Sequence, residues 1–175
     1  MDRRHMIGLL AASALTACAA PPPPRLGPDG RPLPQLYRIS AAETREIPFR
    51  ALDAVNALRA EAGVAPVALD PRLTAAAATH SRDMSLQNRP WHFGSDGSTP
   101  IERAQRAGFG GRLLGEAISE TYESELETIV AWGQERGPRR VLLDPAARRM
   151  GIAFFQEDNG RIWWTLNMGT DDGIA

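Results

Sequence analysis

Met150-Gly151-Ile152-Ala153-Phe154-Phe155-Gln156, then Glu157-Asp158-Asn159-Gly160, then Arg161-Ile162-Trp163-Trp164-Thr165-Leu166-Asn167-Met168 is the stretch whose reading decides the fold. Two runs rich in aromatic and β-branched residues flank a polar connection ending in Asn-Gly, which is the signature of a β-hairpin. Upstream the pattern is helical. Asp70-Pro71 starts a helix as N-cap and first-turn proline, and places Leu73, Ala76, Ala77, His80 and Met84 on one face as far as about Gln87. Thr99-Pro100-Ile101-Glu102 is a capping box opening a short helix that stops at Gly108, and Ser124-Glu125-Leu126-Glu127 opens another that carries Leu126, Ile129 and Val130 toward the core. Phe49, Leu52, Val55 and Leu58 recur up to Gly63 as an earlier amphipathic helix. Val64 to Leu69 is extended and interrupted by Pro66. Helices first and paired strands last give an α+β domain with helices laid over an antiparallel sheet. Alternation puts Trp163 and Trp164 on opposite sides of their strand, so one of them could be exposed.

The N-terminal part has a different composition. Arg3 and Arg4 precede a short apolar run, Met6 to Ala14, and Leu15-Thr16-Ala17-Cys18 closes it with small residues before the only cysteine. This resembles a bacterial lipobox, which implies cleavage after residue 17 and lipidation of Cys18; the plainer reading is a secretory signal with an incidental cysteine. Pro21 to Pro24, Pro28, Pro32 and Pro34 exclude helix or central strand and form a semi-stiff spacer. The expected organisation is a signal over 1–17, a tether over 18–45, the folded domain over 46–170 and a tail over 171–175. Ala19 after Cys18 is not the aspartate associated with inner-membrane retention, which favours an outer-membrane anchor where two membranes exist.

Charge excludes one class of partner. All 20 basic residues are arginine, against 21 acidic ones, and removal of residues 1–17 leaves 18 Arg and 20 Asp and Glu. The mature chain is mildly acidic and does not read as a nucleic-acid binder. No run beyond residue 20 approaches the length of a membrane-spanning helix.

Chemistry-bearing residues concentrate in Trp91-His92-Phe93-Gly94-Ser95-Asp96-Gly97-Ser98, in Gly115-Glu116, and in Trp132-Gly133-Gln134-Glu135. A histidine in a glycine-rich turn, with carboxylates a compact fold could bring to it, is the nearest thing to a chemical site. His92 is either a cleft group or a satisfied turn residue; His80, on an apolar helix face, reads as a packing residue.

These pieces, in order from about Leu52 to Gly169, resemble the bacterial branch of the CAP superfamily, also called the SCP domain. The resemblance is carried by Leu52 to Gly63, Thr79-His80-Ser81 with Met84, His92 to Ser98, Arg103 to Phe109, Gly115-Glu116, Trp132, Met150-Gly151-Ile152 and Trp164-Thr165. It implies an α-β-α sandwich with a cleft tetrad of two histidines and two acids, the histidines able to hold a divalent metal. Carried over, His92 matches the first histidine, Glu116 the first acid and Glu135 the second acid. The second histidine position is Pro138, and the asparagine that usually follows the first acid is Ala117. With that set incomplete, tight zinc binding is not expected. Arg136, Arg139 and Arg140 flank the lost histidine, and one of them, Arg139 foremost, could pair with Glu116 or Glu135; they could equally form a solvated face.

The expected role is a lipid-anchored envelope domain whose cleft, His92, Glu116, Glu135 and Arg139, binds a lipid-like, cell-wall or protein ligand without catalysis. The competing expectations are a hydrolase with His92 as base beside Glu116 or Glu135, and a purely structural assembly protein. No Ser or Cys nucleophile stands beside His92 in the sequence.

Overall fold

The computed structural model describes residues 26–31 and 36–173. Cys18, the signal expected over 1–17 and most of the tether lie outside the described residues. Residues 26–31 form a tight turn, with the Gly30 N–H donating to Gly27 O at 3.0 Å. The folded domain begins at Leu36.

Five helices and four strands follow one another: α1 (Ala41–Glu61), β1 (Ala68–Leu69), α2 (Pro71–Gln87), α3 (Pro100–Arg106), β2 (Gly111–Ser119), α4 (Glu125–Gln134), α5 (Arg136–Leu142), β3 (Arg149–Gln156) and β4 (Ile162–Gly173). The sheet has the order β1-β3-β4-β2; the hairpin β3–β4 and the pair β2–β4 are antiparallel, and the two-residue β1 adds parallel to β3. The two central strands are those of the Asn-Gly hairpin, and Gly160 takes φ +97° in its turn.

Helices cover both faces, so the architecture is the expected α-β-α sandwich of α+β class. Trp164, Leu166 and Met168 face an apolar layer with Val55, Ile129 and Trp132 of α1 and α4. The opposite face, with Trp163, Thr165 and Asn167, meets α2 and is much more polar. The Ser81 hydroxyl bonds Thr165 Oγ1 at 2.9 Å, Asn167 Nδ2 reaches Leu73 O at 3.4 Å, and Glu157 accepts from Ser85 Oγ and Trp163 Nε1 at 2.7 and 2.8 Å. Neither tryptophan of the Trp163-Trp164 pair is exposed, because both sheet faces are covered. α2 lies so close to the sheet that a Cβ on Gly151 would stand 2.2 Å from Thr74 N; only glycine fits there.

Three readings of the helices need correction. α1 begins at Ala41, where Ser40 and Glu43 form a capping box, so residues 36–45 belong to the domain and not to the tether. Pro48 lies inside the helix. The buried face of α1 is Ile47, Ala51, Val55 and Arg59, which leaves Phe49 exposed. In α4 the buried set is Glu125, Thr128, Ile129, Trp132 and Gly133, while Leu126 and Val130 face outward. Glu125 can be buried because Arg50 Nε donates to it at 2.6 Å. α5 is an element the sequence reading did not anticipate. Its Pro138 sits in the first turn, where backbone N–H groups have no helical partner to lose.

Arg59 is fully buried without an ion-pair partner among the described residues. Its guanidinium donates to the carbonyls of Ala65, Leu142, Asp144 and Ala147 at 2.7, 2.6, 3.1 and 3.3 Å. A fork of five donors suits a set of converging carbonyls, and burial lowers its pKa from the usual arginine value. This one side chain ties the end of α1 to the segment between α5 and β3.

Candidate functional site

Between α5 on one side and the 90–101 segment on the other lies a cleft made of two adjoining depressions of about 490 and 480 Å³. Both are lined by His92, Glu116, Arg140 and Val141. α5 can come this close because Gly115 has no side chain: a Cβ there would meet Val141 Cγ2 at 2.8 Å.

Glu116 is the centre of the site, although its side chain is only 1% exposed. The Arg103 guanidinium holds it: Nη2 lies 3.0 and 2.9 Å from its two oxygens, and donates also to His92 O at 3.0 Å, while Nη1 donates to Ser98 O at 2.9 Å. A buried carboxylate requires such a counter-charge. His92 Nδ1 lies 2.9 Å from Glu116 Oε1. Since the carboxylate only accepts, Nδ1 carries the proton, and Nε2 is left to the half-exposed side of the ring. His80, fully buried on α2, donates from Nε2 to Trp91 O at 2.9 Å and stands 3.6 Å from Glu116 Oε1. Among the described residues its Nδ1 has no hydrogen-bond partner, so only one of the two ring nitrogens is satisfied. Burial pushes its pKa below the usual histidine value, with Glu116 pulling partly the other way.

The expected site residues are therefore brought together only in part. His92 and Glu116 meet, and Pro138, at the second-histidine position, lines the same cleft. Glu135 does not join them. The chain turns there between α4 and α5, and its side chain is exposed and lines neither depression. Arg139 is not a cleft residue either, since Nη1 donates to Gly133 O at 2.7 Å near the end of α4. A guanidinium does pair with Glu116, but it is Arg103 and none of Arg136, Arg139 and Arg140. Its position in the last turn of α3 reads in sequence as a complement to the helix dipole. The missed signal was that a buried acid needs a cation, and Arg103 lies thirteen residues away.

Zinc requires three or four N, O or S donors. The cleft supplies His92 and Glu116, Pro138 contributes none, and the Arg103 charge against Glu116 opposes a dication. Among the described residues no group of three or more His, Cys, Asp or Glu side chains is placed to hold a metal ion. The residues present do not fit zinc.

Two outcomes follow from this geometry. Arg103→Gln strands Glu116 as an unpaired buried charge and should lower the unfolding free energy in urea by about 3–5 kcal/mol. Arg139→Ala, which removes one partly exposed hydrogen bond, should cost about 1 kcal/mol; equal losses would contradict the assignment. The second outcome concerns pH. The folded-state pKa of His80 lies below the unfolded value of about 6.5, so on acidification the unfolded chain takes up the proton first. Its contribution to stability is complete above about pH 6.5 and is lost as pH falls toward the depressed folded value. Urea titrations from pH 7 to 5 should show this decline in the wild type and a flatter profile in His80→Gln; identical profiles would refute it.

The chain was compared with known families and structures. The family model described as CAP, cysteine-rich secretory protein family, matches residues 52–168. The uncharacterized protein YkwD of Bacillus subtilis (strain 168) is 25% identical over 114 residues, 65% of this chain and 44% of that protein. The chain thus spans less than half the length of that curated relative. An extracellular protein containing an SCP domain from Bacillus anthracis str. Ames superposes with TM-score 0.67 at 22% identity, covering 77% of this chain and 45% of the other. An outer surface protein of Borrelia burgdorferi gives TM-score 0.67 at 15% identity, over 79% of this chain and all of the other, 100%. Such relatives are described as extracellular or surface proteins, and among the described residues no helix is long and apolar enough to cross a membrane. With its sandwich and its histidine–carboxylate cleft in the matched region, the chain belongs to the CAP family, the cysteine-rich secretory protein family.

Proposed function

We propose that this chain is an extracytoplasmic CAP domain, held at the envelope by a lipid on Cys18, whose cleft is a non-catalytic binding surface. The observation that carries the reading is the commitment of Glu116. Both of its oxygens are engaged by Arg103 and one also by His92, so the carboxylate is held within the protein instead of being presented to the cleft. Nor does the cleft offer a nucleophile. Among the described residues the one hydroxyl lining it belongs to Thr99, whose Oγ1 caps α3 and bonds Glu102. What faces the open space is a set of recognition groups: His92 Nε2, the exposed Arg140 guanidinium and apolar walls.

The hydrolytic alternative rests on one feature, a histidine whose Nδ1–H is oriented by a carboxylate and whose other nitrogen faces a cleft, which could activate water. Chromogenic ester and peptide substrates separate the two readings. No turnover above buffer is expected for the wild type, whereas turnover that disappears in His92→Ala with the fold intact would replace the binding role by a hydrolytic one. The anchor is tested in a bacterial host fed an alkynyl fatty acid. The wild-type chain should take up label and sediment with membranes, and Cys18→Ser should do neither; unlabelled wild-type protein would mean an ordinary secretory signal.

A further inference from the structure

The cleft runs along a free sheet edge. β2 is the terminal strand of the order β1-β3-β4-β2, so one edge pairs with β4 and the other has no strand beside it among the described residues. Residues 113–116 line one depression and residues 116–118 the other, which makes β2 the continuous floor of the cleft.

What Glu116 presents to that floor is main chain. Its side chain is 1% exposed while the whole residue is 8% exposed. The hydrogen-bond pattern fixes the direction of its backbone groups. Asp70 N–H donates to Met150 O at 2.8 Å, so Met150 faces β1, and Gly151 must exchange its bonds with Asn167 of β4. Asn167 is then committed to β3, Leu166 bonds Ala117, and Glu116, opposite Asn167, points its N–H and C=O away from the sheet. Ile118 faces the same way, and its carbonyl receives the Trp132 indole N–H at 3.2 Å. Glu116 N–H and C=O have no such partner among the described residues.

The charge above this floor is positive. Arg140 is exposed, lines both depressions and, among the described residues, makes no side-chain hydrogen bond or ion pair, and the Glu116 charge is met by Arg103; His92 adds an acceptor, Nε2. Asp144 lines only the depression toward α3. Apolar walls stand on both sides, Ile101 and Leu113 at one end, Trp91 and Pro138 at the other.

We propose that the cleft takes an extended peptide that adds to the free edge of β2, its main chain bonding Glu116 N–H and C=O, a carboxylate of the peptide resting on Arg140 and a peptide N–H donating to His92 Nε2. The proposal rests on the binding role given above and names its ligand class. Main-chain pairing supplies affinity in such strand addition, and side-chain pockets supply selectivity. The segment is short. The register of β2 against β4 is interrupted between Leu113 and Gly115, and Trp132 already holds the Ile118 carbonyl, so pairing is confined to the few residues around Glu116. That same confinement disfavours a long strand from a second copy of the chain.

The test is a titration of the ¹⁵N-labelled chain with N-acetyl-Thr-Val-Thr-Val as the free acid, as its C-terminal amide, and as an analogue with alternate backbone nitrogens methylated; chitotetraose and decanoate serve as non-peptide probes. The free acid should shift the Glu116 amide and slow its exchange with deuterium at least tenfold. Capping the carboxylate, or Arg140→Ala, should weaken binding by about tenfold or more, and the methylated analogue should not bind. Equal binding of the methylated analogue would overturn strand addition. Chitotetraose or decanoate shifting the cleft amides where the peptides do not would overturn the peptide class and leave the binding role standing. If none of the probes moves a cleft amide, both readings fall.

Discussion

A carboxylate taken out of water must find a counter-charge or surrender its own, and in this protein the ion pair between Glu116 and Arg103 meets that demand. Removing a charged group from solvent costs several kcal/mol, repaid only when the partner's geometry satisfies its lone pairs. The Arg103 guanidinium does this while also reaching the carbonyls of His92 and Ser98. One cation thereby fixes β2, the 92–98 loop and α3 relative to one another. The orientation of His92 follows, because its Nδ1–H is directed at an oxygen that Arg103 has already placed. The site is closed by an arginine from α3.

The two faces of the sheet are built by different means. Toward α1 and α4 the layer is a conventional apolar core of tryptophan, leucine, isoleucine and methionine. Toward α2 the helix approaches on alanines and on Gly151, and the buried hydroxyl, amide and imidazole groups are directional. Polar contacts of this kind cost more when broken than they return when made. They specify where α2 sits more sharply than they hold it there, and they keep His80 beside Glu116.

Local signals in the sequence were legible because they are settled within a few residues. Asp70-Pro71, the Thr99 and Ser124 capping boxes and the Asn159-Gly160 turn each carry their own hydrogen bonds, and each stands where it was expected. Readings failed where distant partners decide. Leu126 and Val130 fit an apolar stripe as well as Thr128 and Glu125 misfit it, yet Arg50, seventy-five residues from Glu125, makes the acid buriable and rotates the inward face of α4. Phe49 fitted the apolar spacing of α1, whereas Ser40 and Glu43 begin the helix earlier and its buried face runs through Ile47, Ala51 and Val55. The same limit applied to the cleft. His92 and Glu116 were visible as residue types, but the choice of Arg103 over Arg139, and the outward turn of Glu135, depend on where α3 and the α4–α5 junction come to rest.

The position of β4 in the sheet governs the order in which the domain can be assembled during synthesis. β2 and β3 have no contact with each other in the sheet and pair only through β4, which is the last strand made. A nascent chain that has completed α1, α2 and even β3 therefore holds an unpaired β2 and helices with no complete sheet to cover. Arg59 of α1 likewise waits for carbonyls that lie 83, 85 and 88 residues further on. The folding nucleus must be long-range, so the domain cannot collapse into its native form until β4 has been made. Such delay leaves an interval in which the chain is still threadable.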